Sequence, residues 1–282
     1  MVNEGMQQTW TQLAAGWVEH QEIFDAIFAP VTTALLARAG LDEGHRVLDV
    51  GCGSGSLLAA AVDAGALAVG VDVSPGMVAA ARSRVPGARV LLADAQTTDL
   101  LAAAPGDPFD RVVSRFGVMF FDDPVAAFSS IRAACAPGAL LTFACWRTFA
   151  ENPMMTLGQD LLLARLGEPP VDLPADAPGP MAFADPDRVR AVLTGAGWSD
   201  VAVTPYDFDC DYGWDGSDGV EHRMATMLAT TTGQRVQAQL RPRLGPDGWA
   251  LLLDEVRAHL RGHLVDGSLR FPAAVWLVTG TA

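Results

Sequence analysis

Apolar and polar residues follow two periods along this chain, and the switches between them mark out strands alternating with helices. Val47-Leu48-Asp49-Val50 is a short, mostly apolar run that ends in a burst of glycines, as a buried strand does, and Ser56 to Val62 then reads as a helix. The same beat recurs. Strands are expected over Arg46 to Val50, Ala68 to Val73, Arg89 to Leu92, Phe109 to Ser114 and Ala139 to Trp146, with a sixth over Val201 to Tyr206 and a last over Ala273 to Thr279. Ser74-Pro75 opens a helix with a capping serine and a proline in the first turn, and Met77, Val78 and Ala81 supply its apolar side. Asp123-Pro124 does the same ahead of Val125, Phe128 and Ile131, with Pro137-Gly138 as the expected stop. Asp185-Pro186 opens a third such helix, closed by Gly195 to Gly197. This alternation predicts an α/β fold: a largely parallel sheet with helices on both faces, whose ligands sit at the carboxyl ends of the strands.

Two stretches depart from the beat. Ahead of the first strand, Trp10, Leu13, Ala14, Trp17, His20, Phe24, Ile27 and Phe28 recur at helical spacing; Pro30 breaks the pattern, and Val31 to Ala39 form a second helix ending at Gly40. After Trp146 one helix is expected within Glu151 to Leu166, then a Pro/Asp-rich loop from Gly167 to Pro180, and three helices within Gly213 to Gly267. The expected organisation is therefore N-terminal cap helices over 1–40, a ligand-binding core over 41–146, a lid insertion over 147–184, and the rest of the core over 185–282 carrying a helical insertion at 213–267.

Composition narrows the class. Half of the 282 residues are hydrophobic, enough for a sizeable core. The net charge is -14, and no lysine occurs. No basic run or basic-aromatic stripe is present, which argues against a nucleic-acid partner, and an acidic surface disfavours anionic membranes. The apolar runs are too short to span a bilayer, and Met1 to Gln8 lack the apolar stretch of a signal peptide. Cys52, Cys135, Cys145 and Cys210 form no C-x-x-C pair and imply no disulfide framework. The expectation is a cytoplasmic monomer or homodimer acting on a small molecule.

The candidate chemistry gathers at Gly51-Cys52-Gly53-Ser54-Gly55. Glycines after a first strand permit positive φ and let a ligand touch backbone. The second strand ends twenty-one residues after Gly51 at Asp72, where a carboxylate can accept both ribose hydroxyls of a nucleoside. A dinucleotide site requires G-x-G-x-x-G and a phosphate at the helix N-terminus. Here the third glycine, Gly55, comes one residue early, and Asp49, two residues before Gly51, would repel phosphate but suits an ammonium group. Together Asp49 and Asp72 describe an adenosine with a cationic amino-acid tail, which is S-adenosylmethionine (SAM).

The stretch LDVGCGSG resembles motif I of the class I SAM-dependent methyltransferases, small-molecule enzymes of the UbiE-like type, and the resemblance runs from about His45 to Trp146. It implies a Rossmann-like seven-stranded sheet with the last strand antiparallel, and helical lid insertions that leave on the cofactor side. Asp72-Val73-Ser74-Pro75-Gly76-Met77 looks like the family's D-x-S-x-x-M segment, which implies ribose binding by Asp72 and adenine packing by Met77. Asp94 matches an acid that the family places against the adenine amino group, with backbone near Ala95 serving a ring nitrogen. Arg115 and Phe116, at the tip of the fourth strand, would approach the methionine portion. The run APGALLTFACW resembles the family's P-G-G-x-L segment, with Ala139 in place of the second glycine.

The implied activity is methyl transfer to an O, N or C atom of a small, mostly apolar acceptor. The rivals are a SAM-fold enzyme catalysing a non-methylating step, a nicotinamide oxidoreductase, and a non-catalytic SAM-binding module. Histidines His20 and His222 are the candidate general bases. His259 and His263 are spaced i, i+4, but Gly262 lies between them and no carboxylate completes a set, so no metal site is expected. Trp10, Trp17, Phe24, Met154, Met155, Met224, Met227 and Trp214 are expected to cover the acceptor.

Overall fold

A computed structural model describes residues 3–167, 174 and 176–282. Three helices lead in: α1 (Glu4–Glu19), α2 (Gln21–Ile27) and α3 (Ala29–Ala39). The core then alternates β1 (Arg46–Val50), α4 (Ser56–Asp63), β2 (Leu67–Asp72), α5 (Pro75–Arg84), β3 (Arg89–Leu92), a single turn α6 (Leu100–Ala103), β4 (Phe109–Arg115), α7 (Pro124–Ala133) and β5 (Cys135–Trp146). There follow α8 (Gln159–Leu166), α9 (Pro186–Gly195), β6 (Ser199–Asp211), α10 (Val220–Ala229), α11 (Thr231–Arg261) and β7 (Arg270–Thr281).

The seven strands form one sheet in the order β3-β2-β1-β4-β5-β7-β6. β1 to β5 run parallel, and β7 enters antiparallel between β5 and β6. All five residues of β1 are buried, as expected of a strand covered on both faces. From β1 the chain runs outward through β2 and β3 on one side, then returns to start β4 on the other. That reversal opens a crevice at the carboxyl ends of β1 and β4. The expected α/β sheet is therefore present in full.

The differences are local. Pro30 does not end a helix; it sits in the first turn of α3, where its missing N–H costs nothing. α7 stops at Ala133, before Pro137-Gly138, and these two residues fall within the irregular start of β5, where Gly138 takes φ 81. β6 runs on past Tyr206 to Asp211 and β7 begins at Arg270, so the closing hairpin is longer than expected. In the stretch Glu151 to Leu166, only Gln159–Leu166 is α-helical, preceded by two 3-10 turns. In the second insertion α11 is broken at Gly245 (φ 68), so with α10 it amounts to the three helices expected. Residues 168–173 and 175 of the Pro/Asp-rich loop expected at Gly167 to Pro180 lie outside the described residues. Among the described residues, no helix is long and apolar enough to cross a membrane.

Candidate functional site

β1 delivers the chain to the crevice, and a turn of glycines carries it into α4. Gly51 needs to be glycine on two counts: its φ is 67, and a Cβ there would stand 2.8 Å from the Cα of Gly117. Gly53 (φ 53) is different, because a Cβ would meet no protein atom within 4 Å. Gly53 borders a cleft, so the open space is where a ligand would lie. Gly55 (φ 91) faces Val85 and Ala81 and does not border the cleft; it seats α4 against α5.

The carboxylate of Asp72 accepts hydrogen bonds from Gly53 N–H at 3.0 Å and Ser74 N–H at 2.9 Å, which ties the glycine turn to the end of β2. Burial pushes its pKa up, against those N–H groups, which lower it. Asp49 has no such support. It is 2% exposed, and neither of its oxygens has a hydrogen-bond partner. Desolvation pushes its pKa up to about 8, opposed by the Arg115 guanidinium and reinforced by Asp72. Burial and these two carboxylates raise the pKa of the Cys52 thiol, which disfavours the thiolate.

Arg115, at the tip of β4, faces them. Its guanidinium donates to Thr32 Oγ1 at 2.6 Å and Ser56 Oγ at 3.3 Å, and it lies 3.6 Å from Asp25. Asp25 accepts from the Ser56 hydroxyl and pairs with Arg84 at 2.7 Å. Burial lowers the Arg115 pKa, with Asp25 and Asp49 opposing that shift. The next residue, Phe116, holds φ 64, an uncommon conformation for a bulky side chain, and stacks on Trp146 with ring centres 4.1 Å apart.

At the far end of the cleft, Asp94 accepts from Gln96 N–H and from the Asn3 side-chain amide, each at 2.9 Å. Asn3 also accepts from Asp122 N–H at 2.8 Å, and its own N–H donates to the Asp122 carboxylate at 2.6 Å. These bonds fasten the start of α1 across the ends of β3 and β4.

Of the predicted ligand-binding residues, Asp49, Gly51, Cys52, Gly53, Asp72 and Val73 border this one cleft, as do Met77, Asp94, Ala95, Arg115 and Phe116; Gly55 alone does not. Neither candidate base borders it. His20 lies at the junction of α1 and α2. The His222 ring is bonded to the Tyr212 carbonyl at 2.8 Å and stacks on Trp214. Of the expected cover, Trp10, Trp17 and Phe24 line the cleft. The other five do not: Met154, Met224 and Met227 are buried elsewhere, Met155 packs on the core, and Trp214 is exposed. Asn3, Asp25, Ser56 and Gly117 were not singled out from the sequence. The available signals were an acid beside an otherwise apolar helical stripe, for Asp25, and a hydroxyl in the first turn after the glycines, for Ser56. Among the described residues no group of His, Cys, Asp and Glu could hold a metal ion.

Residues 47–138 match the family model described as "Methyltransferase domain". An uncharacterised protein of Mycobacterium tuberculosis is 31% identical over 122 residues, 43% of this chain and 44% of the relative. A ubiquinone biosynthesis O-methyltransferase of Cereibacter sphaeroides is 32% identical over 111 residues, 39% of this chain and 44% of the relative. The matched stretch is thus less than half the length of either relative. Among solved structures, the YcgJ protein of Bacillus subtilis superposes with a TM-score of 0.54 at 16% identity, covering 89% of this chain and 97% of the other. A cyclopropane synthase of Mycobacterium tuberculosis gives 0.51 at 16% identity, with 90% and 84% coverage, and both likenesses speak to the fold. The likeness to a methyltransferase domain thus lies in residues 47–138, and the seven-stranded sheet has the Rossmann-like fold of these solved structures.

Proposed function

We propose that this chain transfers a methyl group from SAM to an O, N or C atom of a small, mostly apolar acceptor. The observation that carries the reading is Asp49: a buried carboxylate without a protein partner, in the same cleft as the Asp72 carboxylate. Such a group is costly unless a ligand completes it. An ammonium group is the complement Asp49 lacks. The remaining lone pairs of Asp72 suit ribose hydroxyls, Arg115 suits the tail carboxylate, and the Gly53 opening leaves room for the tail. These groups support a reading in which the ribose and the amino-acid tail of the cofactor lie between them.

SAM supplies an electrophilic methyl on a sulfonium, so the protein need bring no metal or covalent nucleophile. What the chain contributes is placement. The segment after β4, together with α1, α2 and the Phe28 that follows α2, walls the cleft with Trp10, Trp17, Phe24, Phe28, Phe116 and Phe120, which exclude water and hold an apolar acceptor in line. Such positioning is worth on the order of several kcal/mol of barrier. The name of the Cereibacter relative, a ubiquinone biosynthesis O-methyltransferase, accords with an apolar acceptor. We assign no base role to His20 or His222, which lie off the cleft.

The test is to incubate the protein with SAM and an extract of small metabolites and follow mass. Gain of one methyl group on a small acceptor is expected. Turnover without an added methyl, or a nucleic acid or protein as the preferred acceptor, would overturn the reading.

A further inference from the structure

Asn3 stands at the start of α1 but does not cap it. An asparagine there normally turns its side-chain oxygen onto the free N–H groups of its own helix. This one makes no such bond. Its backbone is left-handed, φ 59 and ψ 11, a conformation asparagine tolerates. The residue is 5% exposed, and its side chain is turned onto the loops that follow β3 and β4. The amide nitrogen donates to Asp94 Oδ2 at 2.9 Å and to Gln96 Oε1 at 3.3 Å, and the amide oxygen accepts from Asp122 N–H at 2.8 Å. These partners fix the orientation of the amide: flipped, its oxygen would face two acceptors and its nitrogen a donor.

The Asp94 carboxylate is held by one protein group at each oxygen. Oδ1 accepts from Gln96 N–H at 2.9 Å, a local turn that needs nothing from α1. Oδ2 is held by Asn3, 91 residues away in the chain. Gln96 is itself braced, since its side-chain oxygen also accepts from Asp123 N–H at 3.1 Å. A local turn thus sets one oxygen of Asp94, and Asn3 sets the other. A carboxylate offers about four lone-pair sites, so about two are left for a ligand. Asp94 is half-buried and borders the cleft together with Met77, Ala93 and Ala95. An ionised carboxylate can only accept, so it suits an N–H on the ligand and repels an oxygen at the same place. A group built into a site in this way discriminates strongly, because the wrong ligand leaves it unpaired.

We propose that Asn3 is a positioning residue for nucleobase choice: it holds the Asp94 carboxylate toward the amino group of adenine, so that the cleft prefers adenine to a purine carrying oxygen at that position. This rests on the reading of the cleft as a SAM site. The helix that covers the cleft then also sets which nucleoside the cleft accepts.

The experiment titrates the full chain by calorimetry with S-adenosylhomocysteine and with S-inosylhomocysteine, its analogue with oxygen in place of the adenine amino group. Wild type is expected to prefer the adenosyl ligand roughly tenfold or more, the worth of a hydrogen bond to a charged group. Asn3→Gly removes the side chain while glycine keeps φ 59 without strain, and should cut that preference about threefold or more. The preference is a ratio within one protein, so a general loosening of α1 cancels from it. Asn3→Asp keeps the size of the side chain and the bond from Asp122 N–H but sets an acceptor against Asp94, and should cut the preference further. Asp94→Ala should abolish the preference, and in that background Asn3→Gly should change it no more. A preference left intact by Asn3→Gly or by Asn3→Asp, an effect of Asn3→Gly that persists without Asp94, or equal binding of both ligands by wild type would overturn the proposal and leave the cofactor reading standing. Failure of wild type to bind S-adenosylhomocysteine would overturn both.

Discussion

Asp49 decides how this site responds to pH. Its folded pKa is raised to about 8, while an unfolded carboxylate ionises near about 4. Between those values the unfolded chain has released a proton that the folded, ligand-free chain retains. Asp49 therefore favours the folded state fully at low pH, and that contribution is lost as pH rises toward about 8. Asp49→Asn should flatten this loss: between pH 5 and pH 8, at roughly those settings, the variant's melting temperature should fall less than that of wild type. The same change should weaken SAM binding by roughly tenfold to a hundredfold, since a charge-assisted bond is worth about 1.5–3 kcal/mol. SAM binding to wild type near neutral pH should also release protons, which calorimetry in buffers of different ionisation enthalpy would register. Equal melting profiles for the two proteins would mean that Arg115 keeps Asp49 ionised. Asp72→Ala should cost more than Asn at position 49, because it removes both a ribose acceptor and the partner of Gly53 N–H. His20→Gln should leave turnover within about twofold of wild type, and a larger loss of rate with SAM affinity intact would return the base role to that residue.

At the scale of elements, α1 is a cover with a fastened end. Gly76 permits its close approach to α5, since a Cβ there would lie 2.8 Å from Ala14, and Gly16 faces Ala229 of α10 at 3.0 Å. The Asn3 side chain adds bonds to Asp94, to Gln96 and to Asp122 N–H, in the region assigned to adenine. Asn3→Ala should loosen that end, raising the dissociation rate of S-adenosylhomocysteine by roughly fivefold or more, about 1 kcal/mol. Stopped-flow measurement of an unchanged rate in a folded variant would show that α1 does not hold the ligand in. None of this was legible in the sequence, where Asn3 is one polar residue in a polar stretch. The glycine turn and the acids at 49, 72 and 94 were legible because each answers a local demand, positive φ or a carboxylate at a strand end. The expected cover was legible only in part. A helical stripe shows that a face is buried and not what it is buried against. Met224 and Met227 lie on such a face, yet both are buried away from the cleft, with Met227 beside Gly158 at the start of α8. The extent of β6 was missed for a different reason. Asp207, Asp209 and Asp211 look like a loop, yet they alternate with Phe208 and Cys210, and an edge strand can turn acids to water.

At the scale of the whole molecule, charge and cofactor are matched. The chain carries 19 basic and 33 acidic residues, hence -14, and many of its arginines are engaged in local ion pairs with acids, as Arg147 is with Asp207 and Arg257 with Glu221. The surplus negative field remains. SAM bears a sulfonium and an ammonium against one carboxylate, and S-adenosylhomocysteine lacks the sulfonium charge. A field of this sign speeds the approach of the cation and is nearly indifferent to the neutral product. Ionic strength separates the two contributions, since the screening length falls from about 30 Å at 0.01 M to about 3 Å at 1 M. Over that range the association rate of SAM should fall several-fold while that of S-adenosylhomocysteine changes little, and dissociation of both should hardly move. The buried contacts of Asp49 and Arg115 are within a few ångströms and are screened far less than the approach path. Equal salt dependence for the two ligands, measured by stopped-flow on the same preparation, would mean that the net charge serves solubility alone and plays no part in delivering the methyl donor.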